Sequence, residues 1–164
     1  MKYYFTLVIL VLLTQSNICG QQIPAQTLPQ FEFSRMDNRP FVNKDLPETK
    51  MLFFVFFDSD CSHCQRAVRN IDQQYASFQK TSIYLISDDS QEKINRFVNT
   101  FARHLKVQKH VVLLQDNLHQ FIPKFKPYRY PAMLLYAPDK KLLDYEDNEE
   151  SVFRFVHAIK KQTN

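Results

Sequence analysis

Glycine and tryptophan are almost missing from this sequence: one glycine and no tryptophan in 164 residues. The single glycine, Gly20, closes an N-terminal apolar segment, so nothing downstream of it contains any. That excludes the glycine-rich phosphate loops and the nucleotide-binding classes they serve. It also leaves the turns to Asn, Asp and Pro, as at Asp37-Asn38, Pro138-Asp139 and Asp147-Asn148. Cysteine is scarce, with three residues. No second C-x-x-C and no H-x-x-x-H motif accompanies them, so a closed four-ligand zinc site has no support. Charge of one sign is lacking too: the net value is +4, with Lys44/Asp45, Glu92/Lys93 and Lys140/Lys141/Asp144 interleaved. This reads as a solvated surface of both signs. The short basic stretch Lys124 to Arg129 suits at most an acidic partner and is too small to argue for nucleic acid.

What is present begins with an export signal over residues 1–20. Lys2 supplies the positive start, and Leu7 to Leu13 is an apolar core too short to span a bilayer. Cleavage after Gly20 places a small residue at the site a signal peptidase needs. Lipidation of Cys19, which would make the protein membrane-anchored, is the alternative, and Ile18 before it is larger than that process favours. Residues 21–30, polar with two prolines, read as a flexible leader. Residues 31–164 then have the length of one domain, able to bury a core without disulfide staples. An exported location, periplasm or cell envelope, follows.

Hydrophobic periodicity orders the elements. Phe31 to Ser34 alternates as a short strand, and Asn43 to Lys50 is a connecting loop. Met51 to Phe57 is apolar throughout, as in a strand covered on both faces. Ala67, Val68, Ile71, Tyr75 and Phe78 recur at helical spacing, in a helix opening near Asp60 or Cys61. Ser82 to Ser87 is the next strand. Asp89 with Glu92 resembles a capping box for a helix bearing Ile94, Phe97, Val98, Phe101 and Leu105. Val111 to Leu114 is a strand, and Asp116 or Asn117 caps a helix with Leu118, Phe121, Ile122 and Phe125. Ala132 to Tyr136 and Lys141 to Tyr145 are closing strands. Asp147 or Asn148 caps a terminal helix with Val152, Phe155, Val156 and Ile159. The alternation predicts an α/β fold with a largely parallel sheet covered on both faces, closed by an antiparallel hairpin.

Directly after the buried strand stands Cys61-Ser62-His63-Cys64. Two cysteines this close enclose almost no loop, so bridging them stabilises little; the spacing suits a reactive pair. Export would place it where disulfides persist.

With the strand Met51–Phe57 leading into Cys61-x-x-Cys64, Tyr130-Pro131 before a strand, and an inserted stretch from Gln91 to Phe125, the chain resembles thioredoxin-fold proteins. Within them it resembles the exported TlpA/ResA-like thiol–disulfide oxidoreductases of the redoxin superfamily; Phe31 to Pro40 is similar to that branch's N-terminal hairpin. The resemblance implies a thioredoxin-like three-layer α/β/α sandwich with a central mixed sheet and an N-terminal β-hairpin extension. It also implies reduction of protein disulfides, no cofactor, and recharging by a protein or small-thiol electron donor. The departures are clear. Asp60 stands where the family usually has Trp, Ser62 and His63 where Pro or Gly is frequent, and Val55 where thioredoxin has a buried acid. Phe54 to Cys61 lacks the Pro and Thr of a peroxiredoxin's Pro-x-x-x-Thr-x-x-Cys, which argues against peroxidase chemistry.

The residues then take roles. Cys61, at a helix N-terminus where the dipole favours its thiolate, is the expected nucleophile, and Cys64, one turn further in, the resolving thiol. His63, if protonated, favours the Cys61 thiolate and shifts the pair toward oxidation, while Asp58 and Asp60 oppose it; the bland readings are a solvent-exposed spacer for His63 and a helix cap for Asp60. A cis bond before Pro131 would lay the Tyr130 backbone beside the cysteines as an edge for an extended substrate, with Tyr128 and Tyr130 as an apolar rim. The alternatives are a dithiol oxidase working in the DsbA-like direction and a non-catalytic redox or Cu(I)-binding module, since thiolates with His63 suit a soft metal. His104, His110, His119 and His157 read as surface or packing residues, so no metal site is assigned.

Overall fold

The computed structural model describes residues 23–163; the expected export signal, Cys19 included, lies outside the described residues. Seven strands form one sheet: β1 (Glu32–Arg35), β2 (Pro40–Val42), β3 (Met51–Phe56), β4 (Thr81–Ser87), β5 (Val111–Gln115), β6 (Ala132–Tyr136) and β7 (Leu142–Glu146). Four helices accompany them: α1 (Ser62–Gln73), α2 (Gln91–Phe101), α3 (Phe121–Phe125) and α4 (Val152–Thr163). The strand order is β2-β1-β5-β4-β3-β6-β7.

Helical crossovers make β3, β4 and β5 parallel. The other neighbouring pairs are antiparallel, so the sheet is mixed rather than largely parallel. The reason is topological: α3 carries the chain past the sheet to the far side of β3, where β6 enters in the opposite direction.

β3 is buried at every position because both its faces are covered. Its side chains alternate between two cores, as a pleated strand demands. Phe53, Val55 and Phe57 join Ala67, Val68 and Ile71 of α1, Ile94, Phe97 and Val98 of α2, and Phe155 and Ile159 of α4. Leu52, Phe54 and Phe56 join Phe33, Phe41, Phe121, Phe125 and Tyr136. Among the described residues this second layer holds the five-residue α3, and stacked rings fill the remaining space: Phe56–Phe121 at 4.3 Å, Phe121–Phe125 at 4.2 Å and Phe31–Phe33 at 4.7 Å. Each fully buried Phe stabilises the fold by about 2 kcal/mol.

Residues 23–30, expected as a flexible leader, are held against the second layer. The Ala25 N–H donates to the Phe125 carbonyl, Leu28 N–H to Lys140 and Leu142 N–H to Gln26, and Thr27 bridges Lys141 in antiparallel register. Leu28 is buried.

Several element ends differ from expectation. α1 stops at Gln73, and Tyr75–Phe78 form a separate 3₁₀ turn. Ser90, not Asp89, caps α2, its hydroxyl accepting the Lys93 N–H; α2 ends at Phe101, and Leu105 lies in a turn of its own. α3 begins only at Phe121 because the buried Asp116 carboxylate accepts the Gln120 and Phe121 N–H groups, which leaves Leu118 exposed ahead of it. Asn148 caps a 3₁₀ turn, Glu149–Ser151, that runs into α4. Without glycine, left-handed backbone falls to Asn38, His119, Lys126 and Lys140, with φ of 64°, 49°, 54° and 69°. Among the described residues no helix is long and apolar enough to cross a membrane.

Candidate active site

The last residue pairing of β3 hands the chain to a tight turn. The Phe57 N–H donates to the Ile86 carbonyl at 3.0 Å, keeping it in register with β4. Asp58 then organises the turn: its carboxylate accepts the Asp60 N–H at 2.7 Å and its carbonyl the Cys61 N–H at 3.2 Å. Asp89 braces it from the β4–α2 loop, accepting the Ser59 N–H at 2.9 Å. Burial alone would raise the Asp89 carboxyl; the bonds from Ser59 and the Lys93 ammonium outweigh it and hold the group below its ordinary value.

Cys61 is the N-cap of α1, in extended conformation. Its Sγ accepts the Cys64 N–H at 3.4 Å, and its carbonyl accepts the Gln65 N–H at 3.0 Å. The sulfur thus meets one of the N–H groups a helix start leaves unpaired. Cys61 is half-buried and Cys64 fully buried, packed with Phe57 and Ala67 in the first core. Burial, reinforced by the hydrogen bond to Cys61, pushes the Cys64 thiol well above its usual range. One sulfur is open to a partner; the other waits behind it as a thiol.

The flanking charges have partners. Asp60 is neither helix cap nor free charge: its carboxylate pairs with Lys93 at 2.8 Å, which lessens its repulsion on Cys61. His63 is exposed but not a free spacer. Its Nδ1 lies 2.9 and 3.0 Å from the two oxygens of Glu149, which also receives Arg66 Nε at 2.9 Å. Burial would raise Glu149, but its own backbone N–H, Arg66 and His63 hold it down at about 2. No pattern in the sequence singles out Glu149; its only signal is the Asn148 cap next to it.

The Tyr130–Pro131 peptide bond is cis. It leads into β6, which pairs with β3 through Phe56 and Ala132, the rung nearest the dithiol turn. Tyr130 stacks on Phe56 at 5.4 Å and remains partly exposed. Burial, then the charges of Asp88, Asp58 and Cys64, raise its phenol. Tyr128 stands edge-on to Tyr145, and Arg129 pairs with Asp147 at 3.0 Å, tying this loop to the chain after β7. His63, Arg129, Tyr130 and Glu150 line an open depression of about 370 Å³. His104 pairs with Asp72 and His119 with Asp88; burial lowers His110. Among the described residues, no three His, Cys, Asp or Glu side chains gather in metal-binding geometry.

The AhpC/TSA family profile matches residues 20–145. No curated protein matches the chain. Solved structures share its fold. A secreted Mycobacterium tuberculosis disulfide oxidoreductase homologous to E. coli DsbE has 17% identity and TM-score 0.65, over 80% of this chain and 96% of that one. The peroxidoxin BcpB of Mycobacterium tuberculosis has 16% and 0.68, over 86% and 97%. A SCO1/SenC family lipoprotein of Bacillus anthracis has 17% and 0.66, over 86% and 98%. At these identities the likeness establishes the thioredoxin-like fold. One fold thus carries several chemistries, and the choice among them rests on this chain's own residues.

Proposed function

The chain belongs to the AhpC/TSA family of thioredoxin-fold redoxins, and from that membership we propose that it is a thiol–disulfide oxidoreductase reducing protein disulfides outside the cytoplasm. The observation that carries this is the unequal pair: Cys61 half-exposed with its sulfur at a helix start, Cys64 buried and held as a thiol.

The Cys61 thiolate attacks one sulfur of a substrate disulfide, forming a mixed disulfide and releasing the other sulfur as a thiolate, which takes up a proton. Cys64 then gives up its proton and attacks Cys61 Sγ, displacing the second substrate sulfur. Two electrons pass to the substrate, which gains two protons and leaves as a dithiol; Cys61 and Cys64 end as a disulfide. A protein or small-thiol donor reverses that oxidation. The backbone before cis-Pro131 and the partly exposed Tyr130 are the edge on which an extended substrate is held. Peroxidase chemistry is disfavoured because Phe54 and Asp58 occupy the positions of the peroxiredoxin Pro and Thr. The oxidase direction has one feature in its favour, His63 two residues after Cys61 in the motif; the Lys93 ammonium against Asp60 weakens that carboxylate's opposition.

The test is the equilibrium reduction potential of the pair in glutathione and dithiothreitol buffers, together with Cys64→Ser trapping in a cell-envelope extract. A potential near that of thioredoxin, about −270 mV, with trapped mixed disulfides, is expected. A value near that of DsbA, about −120 mV, reverses the direction. No intramolecular disulfide and no trapped partner would sink exchange altogether and bring the Cu(I) or docking reading forward.

A further inference from the structure

Glu149 reaches the dithiol motif from the far end of the chain, 86 residues after His63. It stands at the start of a 3₁₀ turn that Asn148 caps, the Asn148 carboxamide oxygen accepting the Glu150 N–H at 3.0 Å. Its carboxylate is only 14% exposed, against 59% for the His63 side chain. Three residues of one α1 face hold it: His63 and Arg66 at the carboxylate, and Asn70, whose side-chain amide donates to the Glu149 carbonyl at 3.0 Å. These stand at the i, i+3 and i+7 positions that share a helix stripe.

The proton on the imidazole can be placed by elimination. Arg66 Nη2 and the carboxylate both lie close to His63 Nδ1, at 3.0 Å and 2.9 Å. Arg66 directs Nε and one Nη2 hydrogen at Glu149, at 2.9 and 2.8 Å, while both Glu149 oxygens face Nδ1, at 2.9 and 3.0 Å. An ionised carboxylate against a bare ring nitrogen would set two lone pairs face to face. Nδ1 therefore carries the proton and donates to Glu149, leaving Nε2 as the nitrogen that can face a partner or take up a second proton.

We propose that Glu149 is a positioning residue for the dithiol: it fixes the Nδ1–H tautomer and ring orientation of His63, forms an ion pair with the ring when it is protonated, and so sets the balance between the Cys61 thiolate and the Cys61–Cys64 disulfide. This rests on the exchange reading above. Arg66 supplies the compensating cation that keeps the carboxylate from acting directly on Cys61. Arg129, Asp147 and Glu150 line the same depression, with Arg129 and Asp147 paired to each other.

The test has two readouts. Imidazole ¹⁵N shifts report the His63 tautomer, and a glutathione redox titration reports the pair. The native protein is expected to show Nδ1–H, and Glu149→Gln to lose that preference. Glu149→Gln should also move the glutathione equilibrium about three- to tenfold toward the disulfide, since an imidazolium beside Cys61 favours the reduced form. In a His63→Gln background the same substitution should do almost nothing. Asn70→Ala removes the backbone clamp but not the carboxylate, and should move both readouts clearly less than Glu149→Gln does. An Nε2–H tautomer in the native protein, a Glu149→Gln shift that survives without His63, or an equal shift in Asn70→Ala would overturn the proposal. A native pair that never closes a disulfide refutes the exchange reading itself, whichever tautomer His63 holds.

Discussion

Asp72 binds His104 at two points: one carboxylate oxygen accepts the His104 backbone N–H and the other meets its Nδ1, each at 2.8 Å. The first oxygen also accepts the Leu105 N–H at 2.8 Å. An acid in the last turn of α1 opposes the helix dipole, yet here it fastens that turn to the chain leaving α2. Tyr75 lies flat on the His104 ring at 5.3 Å. Asp72→Ala strands a buried N–H and should cost about 2–4 kcal/mol. The check is a urea unfolding curve whose midpoint falls at constant slope; a loss within error would mean the bonds are replaced by water.

The unequal burial of the two thiols predicts unequal chemistry. In reduced native protein near neutral pH, iodoacetamide should add to Cys61 alone, and mass spectrometry should count one adduct. After denaturation the described chain should take two, because unfolding removes the burial that keeps Cys64 a thiol. Equal native rates would contradict the resolving role given to Cys64.

Lys126 ends α3 in the left-handed region, at φ 54°, with its N–H donating to the Ile122 carbonyl. A side chain with a Cβ is disfavoured there, and glycine is not. Lys126→Gly should stabilise the protein by about 0.5–1 kcal/mol, less than the full left-handed penalty because glycine gains entropy when unfolded. Lys126→Ala should give no such gain. Thermal unfolding of both variants separates the backbone effect from the lost charge.

Glu149 titrates at about 2 in the folded protein against 4.5 as its ordinary value. A depressed acid contributes stability that is fully present above 4.5 and disappears as the pH falls through 4.5 toward 2. Glu149→Gln removes that contribution, so its unfolding free energy should decline less steeply than the native protein's across this window. Equal slopes would mean that the grip of Arg66 and His63 persists on unfolding.

The sequence made the buried faces plain. Met51 to Phe57, and the spaced apolar residues of α1, α2 and α4 apart from the half-buried Phe101, are covered where their periodicity placed them, since burial is what the period encodes. The dithiol turn and the proline before β6 were also readable, because both are local motifs. Non-local bonds left no such trace. Asp89 and Ser90 are both cap-type residues one position apart, and only the pull of Ser59 and Lys93 on Asp89 leaves Ser90 as the cap. Leu118 kept the apolar rhythm, but Asp116 starts α3 after it. β2 is three residues long, too short for any period to register. Glu149 acquires its part only once α4 is packed beside α1.

The pinning of residues 25–28 alongside Lys140 to Leu142 bears on how molecules of this protein tolerate one another. The outermost strand on that side begins already occupied, and further along it Asp144 and Glu146 are gripped by Arg154. The opposite border is the brief Pro40–Val42, whose first residue has no N–H to offer. Both rims of the sheet therefore make poor templates for a second copy.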